Sequence, residues 1–88
     1  MTGHNHIDPH YLDQIFPENN LTTAQKHDAL LYAMGSSIAE LARLNNRHPD
    51  TVRKRLNDTT VLISGCSEIK ILRSVTLIRI FNLLLNKI

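Results

Sequence analysis

Between Arg43 and Arg55 the chain places Arg43, Arg47, Arg53, Lys54 and Arg55 against one acid, Asp50. Guanidinium and ammonium groups at that density donate charge-assisted hydrogen bonds to phosphate oxygens, and an arginine fork also matches the two acceptors on a guanine edge. Residues 1–34 have the opposite balance, with Asp8, Asp13, Glu18 and Asp28 against Lys26. The formal net charge of +2 therefore conceals a segregation, and the basic segment suits a polyanion. A solvated helix face has the same composition, so the elements that carry these residues must decide. No pair of carboxylates, no Ser/His/Asp set and no glycine-rich phosphate loop stands in a recognisable context, and the chain is too small for an obvious substrate cleft. Neither an enzyme nor a catalytic residue is expected.

Helix punctuation surrounds the basic segment. Ser37 and Glu40 have capping-box spacing, with Ile38, Leu41, Ala42 and Leu44 following as an apolar face. Asn45-Asn46 breaks that pattern, and asparagine adopts positive φ more readily than any residue but glycine. His48-Pro49-Asp50 restarts the chain, with proline in the first turn and an acid at the positive end of the helix dipole. Val52 and Leu56 then share one face, while Asp50, Lys54 and Asn57 fall on the opposite arc with Arg53 and Arg55 at its edges. Small Ala42 where two helices cross, a turn at Asn46 and a buried anchor at Val52 together predict a helix-turn-helix over Ser37 to Asn57. Its second helix runs from about Pro49 to Asn57.

The flanking elements are also marked. Met1 to Ile7 is polar and aperiodic and reads as a disordered arm. Asp8-Pro9 opens a short helix through Tyr11, Leu12, Ile15 and Phe16 that Pro17 stops. Thr22 and Gln25 form another capping box, and Ala24, Leu30, Leu31, Ala33 and Met34 supply an apolar face until Gly35 ends the helix. Asp58 to Gly65 reads as a connector in which Val61-Leu62-Ile63 forms a short strand or an extended strap. From Ser67 to Ile88 a long helix is expected, apolar over more than one stripe. One small domain covers one face, so Leu72, Val75, Leu77, Ile78, Phe81, Leu84, Leu85 and Ile88 are candidate dimerisation residues.

Aromatic residues make up 5% of the chain and Trp is absent, while Leu, Ile and Ala favour helix over a twisted sheet. The fold class is all-α, in one structural domain: an arm and short helix over residues 1–20, a helix-turn-helix core over 21–60, and a connector with an apolar C-terminal helix over 61–88. Cys66, the single cysteine, cannot form an internal disulfide, and no secretory pattern opens the chain, so a cytoplasmic protein is expected. Arg79 and Asn82 interrupt the stretch from Val75 to Leu85, which falls short of the roughly 20 residues that cross a bilayer. His4, His6 and His10 lack a fixed-geometry framework; neither a metal site nor a cofactor is expected.

Leu21-Thr22, Gly35-Ser36-Ser37, Glu40-Leu41-Ala42 and Thr51-Val52-Arg53, in ungapped register from Leu21 to Leu56, resemble the LuxR-type (GerE-like) C-terminal DNA-binding domains of bacterial transcription regulators. Phage Ner-like repressors have a similar spacing, including a proline entering the third helix. The LuxR-type resemblance implies recognition-helix contacts at Arg53, Lys54 and Asn57 and a backbone approach from Arg47 to Thr51. The expected site has two layers. Asp50, Arg53, Lys54 and Asn57 meet base edges, while Ser36, Ser37, Arg43, Arg47, His48, Thr51 and Arg55 hold phosphates. The expected partners are double-stranded DNA and a second copy of the chain, in a small bacterial or phage transcription regulator, with room for a regulatory protein partner. The alternative is an interaction module that keeps the fold and binds a protein through its apolar C-terminal helix.

Overall fold

The computed structural model describes residues 8–86; the arm over residues 1–7, with His4 and His6, and Ile88 lie outside that range. Among the described residues there are five helices and no strand: α1 Pro9–Ile15, α2 Thr23–Ala33, α3 Ile38–Asn45, α4 Pro49–Ser64 and α5 Ile69–Asn86. Local chemistry sets most of the ends. The Asp8 carboxylate accepts from the His10 N–H at 2.9 Å with Pro9 in the first turn of α1. At the start of α2, Thr22 and Gln25 each bond the other's backbone N–H, and Ser37 and Glu40 repeat the arrangement for α3, satisfying donors that a helix start leaves open. Gly35, at φ +114°, closes α2: its N–H reaches Tyr32 O at 3.2 Å and the next N–H, of Ser36, reaches Leu31 O at 3.0 Å. A side chain with a Cβ is strained at that φ.

A single apolar cluster draws on every helix, with Leu12 and Phe16 from the α1 end, Leu30 from α2, Leu41 from α3, Leu56 from α4 and Leu72 from α5. The expected α2 face is shifted: Ala29, Leu30 and Ala33 are buried, but Ala24 and Met34 are exposed, as is Leu44 at the end of α3. Lys26 and Asp28 occupy buried positions on α2 instead, because each finds an opposite charge, described below and at the α1 contact. The Lys26 ammonium meets Asp13 of α1 at 2.8 Å. Arg79 of α5 grips the other end of α1, with nitrogens 3.0 and 2.6 Å from the Glu18 carboxylate and 3.2 Å from Ile15 O. The bonded guanidinium holds the Glu18 carboxyl below its usual range.

The connector expected over Asp58 to Gly65 does not exist. Helix α4 continues through it to Ser64, and Gly65 terminates it at φ +75°. Thr59 and Thr60 are fully buried, and their hydroxyls donate to the carbonyls of Arg55 at 2.9 Å and Leu56 at 2.7 Å. Their low intrinsic helix propensity is overridden because burial rewards the helix and the i−4 carbonyls satisfy the hydroxyls. Ile63, part of the expected strap, packs on the core from within the helix. The last helix begins at Ile69 and not at Ser67. Leu72 and Thr76 turn its inner face fully into the protein, while the Arg73 guanidinium stacks 4.3 Å over the Tyr32 ring and donates to Tyr32 O, anchoring α5 to α2. No helix among the described residues is long and apolar enough to cross a membrane.

Candidate nucleic-acid interface

The corner between α3 and α4 is built from three consecutive residues. Asn46 sits in the left-handed region at φ 53°, ψ 49°, so its N–H reaches Arg43 O at 3.2 Å and the Arg47 N–H folds back on Ala42 O at 2.9 Å. That closure satisfies carbonyls that the helix end would leave open. His48 takes the N-cap that serine or aspartate more often fills: its Nδ1 accepts from the Asp50 N–H at 3.1 Å. Ala42 is buried at the crossing, and Val52 and Leu56 fix the roll of α4 with no exposed surface at all.

Behind this corner lies a feature that sequence reasoning missed. The Asp28 carboxylate of α2, 1% exposed, accepts from the Asn45 side-chain amide at 3.1 Å and from the Arg55 guanidinium at 3.1 Å. One buried acid thus ties the last residue of α3 and the second turn of α4 to α2. The only sequence signal was an aspartate directly beside the apolar pair Ala29-Leu30, with unassigned donors far along the chain. Arg55 therefore leaves the expected phosphate set: its guanidinium is engaged by Asp28 and is mostly covered.

Ser36 and Ser37 are corrected too. The Ser36 N–H donates to Leu31 O, and the Ser37 N–H donates to the Glu40 carboxylate at 2.8 Å while its hydroxyl accepts from the Glu40 N–H. The backbone N–H groups of Ser36 and Ser37 are thus already occupied within the chain. Glu40 stays a carboxylate at this helix start, its pKa held down by the hydrogen bonds from Ser37.

The remaining residues are exposed, apart from half-buried Asn57, and most border three hollows around α4. Arg43 and Arg47 line a shallow hollow with Ala39, Asn46 and Pro49. Thr51 and Lys54 border a second, with Thr22, Gln25 and Asp58. Arg53 and Asn57 border a third, facing Ser67, Glu68 and Lys70 at the start of α5. With about 100° between successive residues, Asp50, Lys54 and Asn57 form the crest, and exposed Val61 extends it. Arg53 turns to the flank and bonds Asp50 at 3.2 Å; His48 lies 3.7 Å from the other oxygen of that carboxylate. Asp50 and Asp58 offset Arg53 and Lys54, so the crest is mixed in charge and rich in both donors and acceptors. Two further exposed cations, Arg43 and Arg47, stand at the turn beside it, Arg43 within reach of the Glu40 charge.

On α5, Leu72 is withdrawn from the dimerisation set because its own domain buries it completely. Val75 and Leu77 are half-buried, and Ile78, Phe81, Leu84 and Leu85 are more than half exposed. His10 bonds Gln14 within α1, and no group of three or more His, Cys, Asp or Glu among the described residues could hold a metal ion. Cys66 is a half-buried free thiol.

The class these features define is a small all-helical domain with a central helix-turn-helix and a long C-terminal helix. No family model, curated protein or solved structure matches the chain.

Proposed function

We propose that this protein is a sequence-specific DNA-binding transcription regulator that acts as a small dimer, with the Pro49 to Asn57 part of α4 in the major groove. One observation carries the reading: α4 is locked on its inner side by Val52, Leu56 and the Asp28 network, while its crest of Asp50, Lys54 and half-buried Asn57 faces outward beside two exposed arginines, Arg43 and Arg47. Amides and carboxylates on such a crest match adenine and cytosine edges, and lysine or arginine matches guanine. Arg43, Arg47 and Thr51 approach the phosphates, with His48 at the same helix start. The Arg53–Asp50 pair is exposed, so exchanging it for a base contact costs little. The reading places the protein in the cytoplasm, and a dimer expects a two-fold related site with half-sites about 34 Å apart.

The test is a salt titration of binding to a random duplex. Two arginines on phosphates give a log–log slope of about −2 per protomer. Arg43→Ala should weaken all sequences alike and flatten the slope by about one unit, whereas Arg53→Ala should relax one position of a selected operator at about 1–3 kcal/mol. Absence of binding at low salt would sink the reading and move the function to the exposed apolar residues of α5, where a protein partner would dock.

A further inference from the structure

Ile71, Ser74, Ile78, Phe81 and Leu85 of α5 alternate in spacings of three and four residues, the repeat that keeps one seam of a helix facing a partner helix. Thr76 and Leu72, both fully buried, occupy the opposite side, so the two apolar faces are separate: one belongs to the domain and the other is a heptad stripe turned away from it. Exposure along the stripe is 59% at Ile78, 60% at Phe81 and 65% at Leu85. The residues flanking those three positions, Leu77, Asn82 and Leu84, are uncharged. Arg73 and Arg79 fold back onto Tyr32 and Glu18, which among the described residues of α5 leaves Lys70, at the start of the helix, as the cation beside the seam.

We propose that this seam pairs with the same seam of a second copy, helix against helix. The inference rests on the reading of the protein as a dimeric DNA-binding regulator and names the surface that makes the dimer. Two features select a second copy over a different protein. A seam that discriminates a foreign partner carries complementary charges on its flanks, and these flanks lack them; an uncharged seam matches itself under a two-fold axis. The area fits as well. Ile78, Phe81, Leu84 and Leu85 offer on the order of 500 Å² of surface per copy. The half-buried Ile71, Val75 and Leu77 extend the patch towards the about 800 Å² that each side of a standard interface buries.

Sedimentation equilibrium of the full chain tests this, with Phe81→Asp and Leu85→Asp as variants and circular dichroism as the check on folding. The wild type should be a dimer, and each variant should dissociate at about 100-fold higher concentration with unchanged helicity. Should Phe81→Asp lose helicity, Leu85→Gln near the helix end gives the same readout. A wild type that stays monomeric, or variants that dimerise as tightly as it does, would overturn the proposal. The salt titration of duplex binding keeps this failure apart from failure of the DNA reading. A monomeric seam variant that retains a salt-dependent slope supports both readings, and a dimer without DNA affinity overturns only the first.

Discussion

The corner between α3 and α4 and the outer face of α5 are opposite solutions to ordering a surface. At the corner the turn's backbone N–H groups fold back on helix carbonyls, and a buried carboxylate ties three helices at once. The outer face of α5 has no partner among the described residues, and its large apolar side chains are exposed there. The first surface is finished within one chain. The second makes physical sense when something covers it. A rigid polar crest suits recognition by hydrogen-bond pattern, and an uncharged apolar seam suits association by area, and the two surfaces lie on separate helices.

Breaking the corner should have the largest effect. Asp28→Ala strands the Arg55 guanidinium and the Asn45 amide beside a void, and should cost about 3 kcal/mol in urea unfolding; a loss below about 1 kcal/mol would show that the network adds little. Asn46→Val puts a β-branched residue in the left-handed region and should cost about 2 kcal/mol, whereas Asn46→Gly should cost a few tenths at most. The inner face of α5 offers a change of opposite sign. The Thr76 hydroxyl is buried without a hydrogen-bond partner, so Thr76→Val should stabilise by about 1 kcal/mol in the same assay. The smallest effect expected is at Glu18. Its folded pKa is lowered by Arg79, so its contribution is full above the unfolded carboxylate range and is lost as pH falls through the folded value. Glu18→Gln should therefore lower stability at neutral pH by less than about 1 kcal/mol and flatten the acid side of the pH–stability profile.

What the sequence disclosed follows the range of the forces involved. Asp8-Pro9, Thr22 with Gln25, Ser37 with Glu40 and Asn46 act within four residues, and each expectation from them has its counterpart in the helix ends. The continuation of α4 was hidden because Thr59 and Thr60 read as helix-poor until their burial against the rest of the molecule is known. The Asp28 network was hidden because its partners lie 17 and 27 residues away, beyond any periodicity. At the candidate interface, the crest of α4 was legible from helical spacing, but which cations are already engaged was not: Arg55 and Arg53 look alike in the chain and differ only in the acids that meet them. The same holds for Leu72 and Leu85, equal in composition and opposite in exposure.

The unbroken course of α4 has a mechanical consequence. Its sixteen residues form a rod about 24 Å long that carries the crest at one end and is wedged against α5 at the other, with no joint between them. A tilt of α5 therefore reaches the crest as a rotation of the whole rod, and nothing along the way absorbs it. One residue inserted between Asn57 and Val61 would turn the two ends of the rod by about 100° against each other, so that Val52 and Leu56 could no longer face the core together with Thr59 and Thr60.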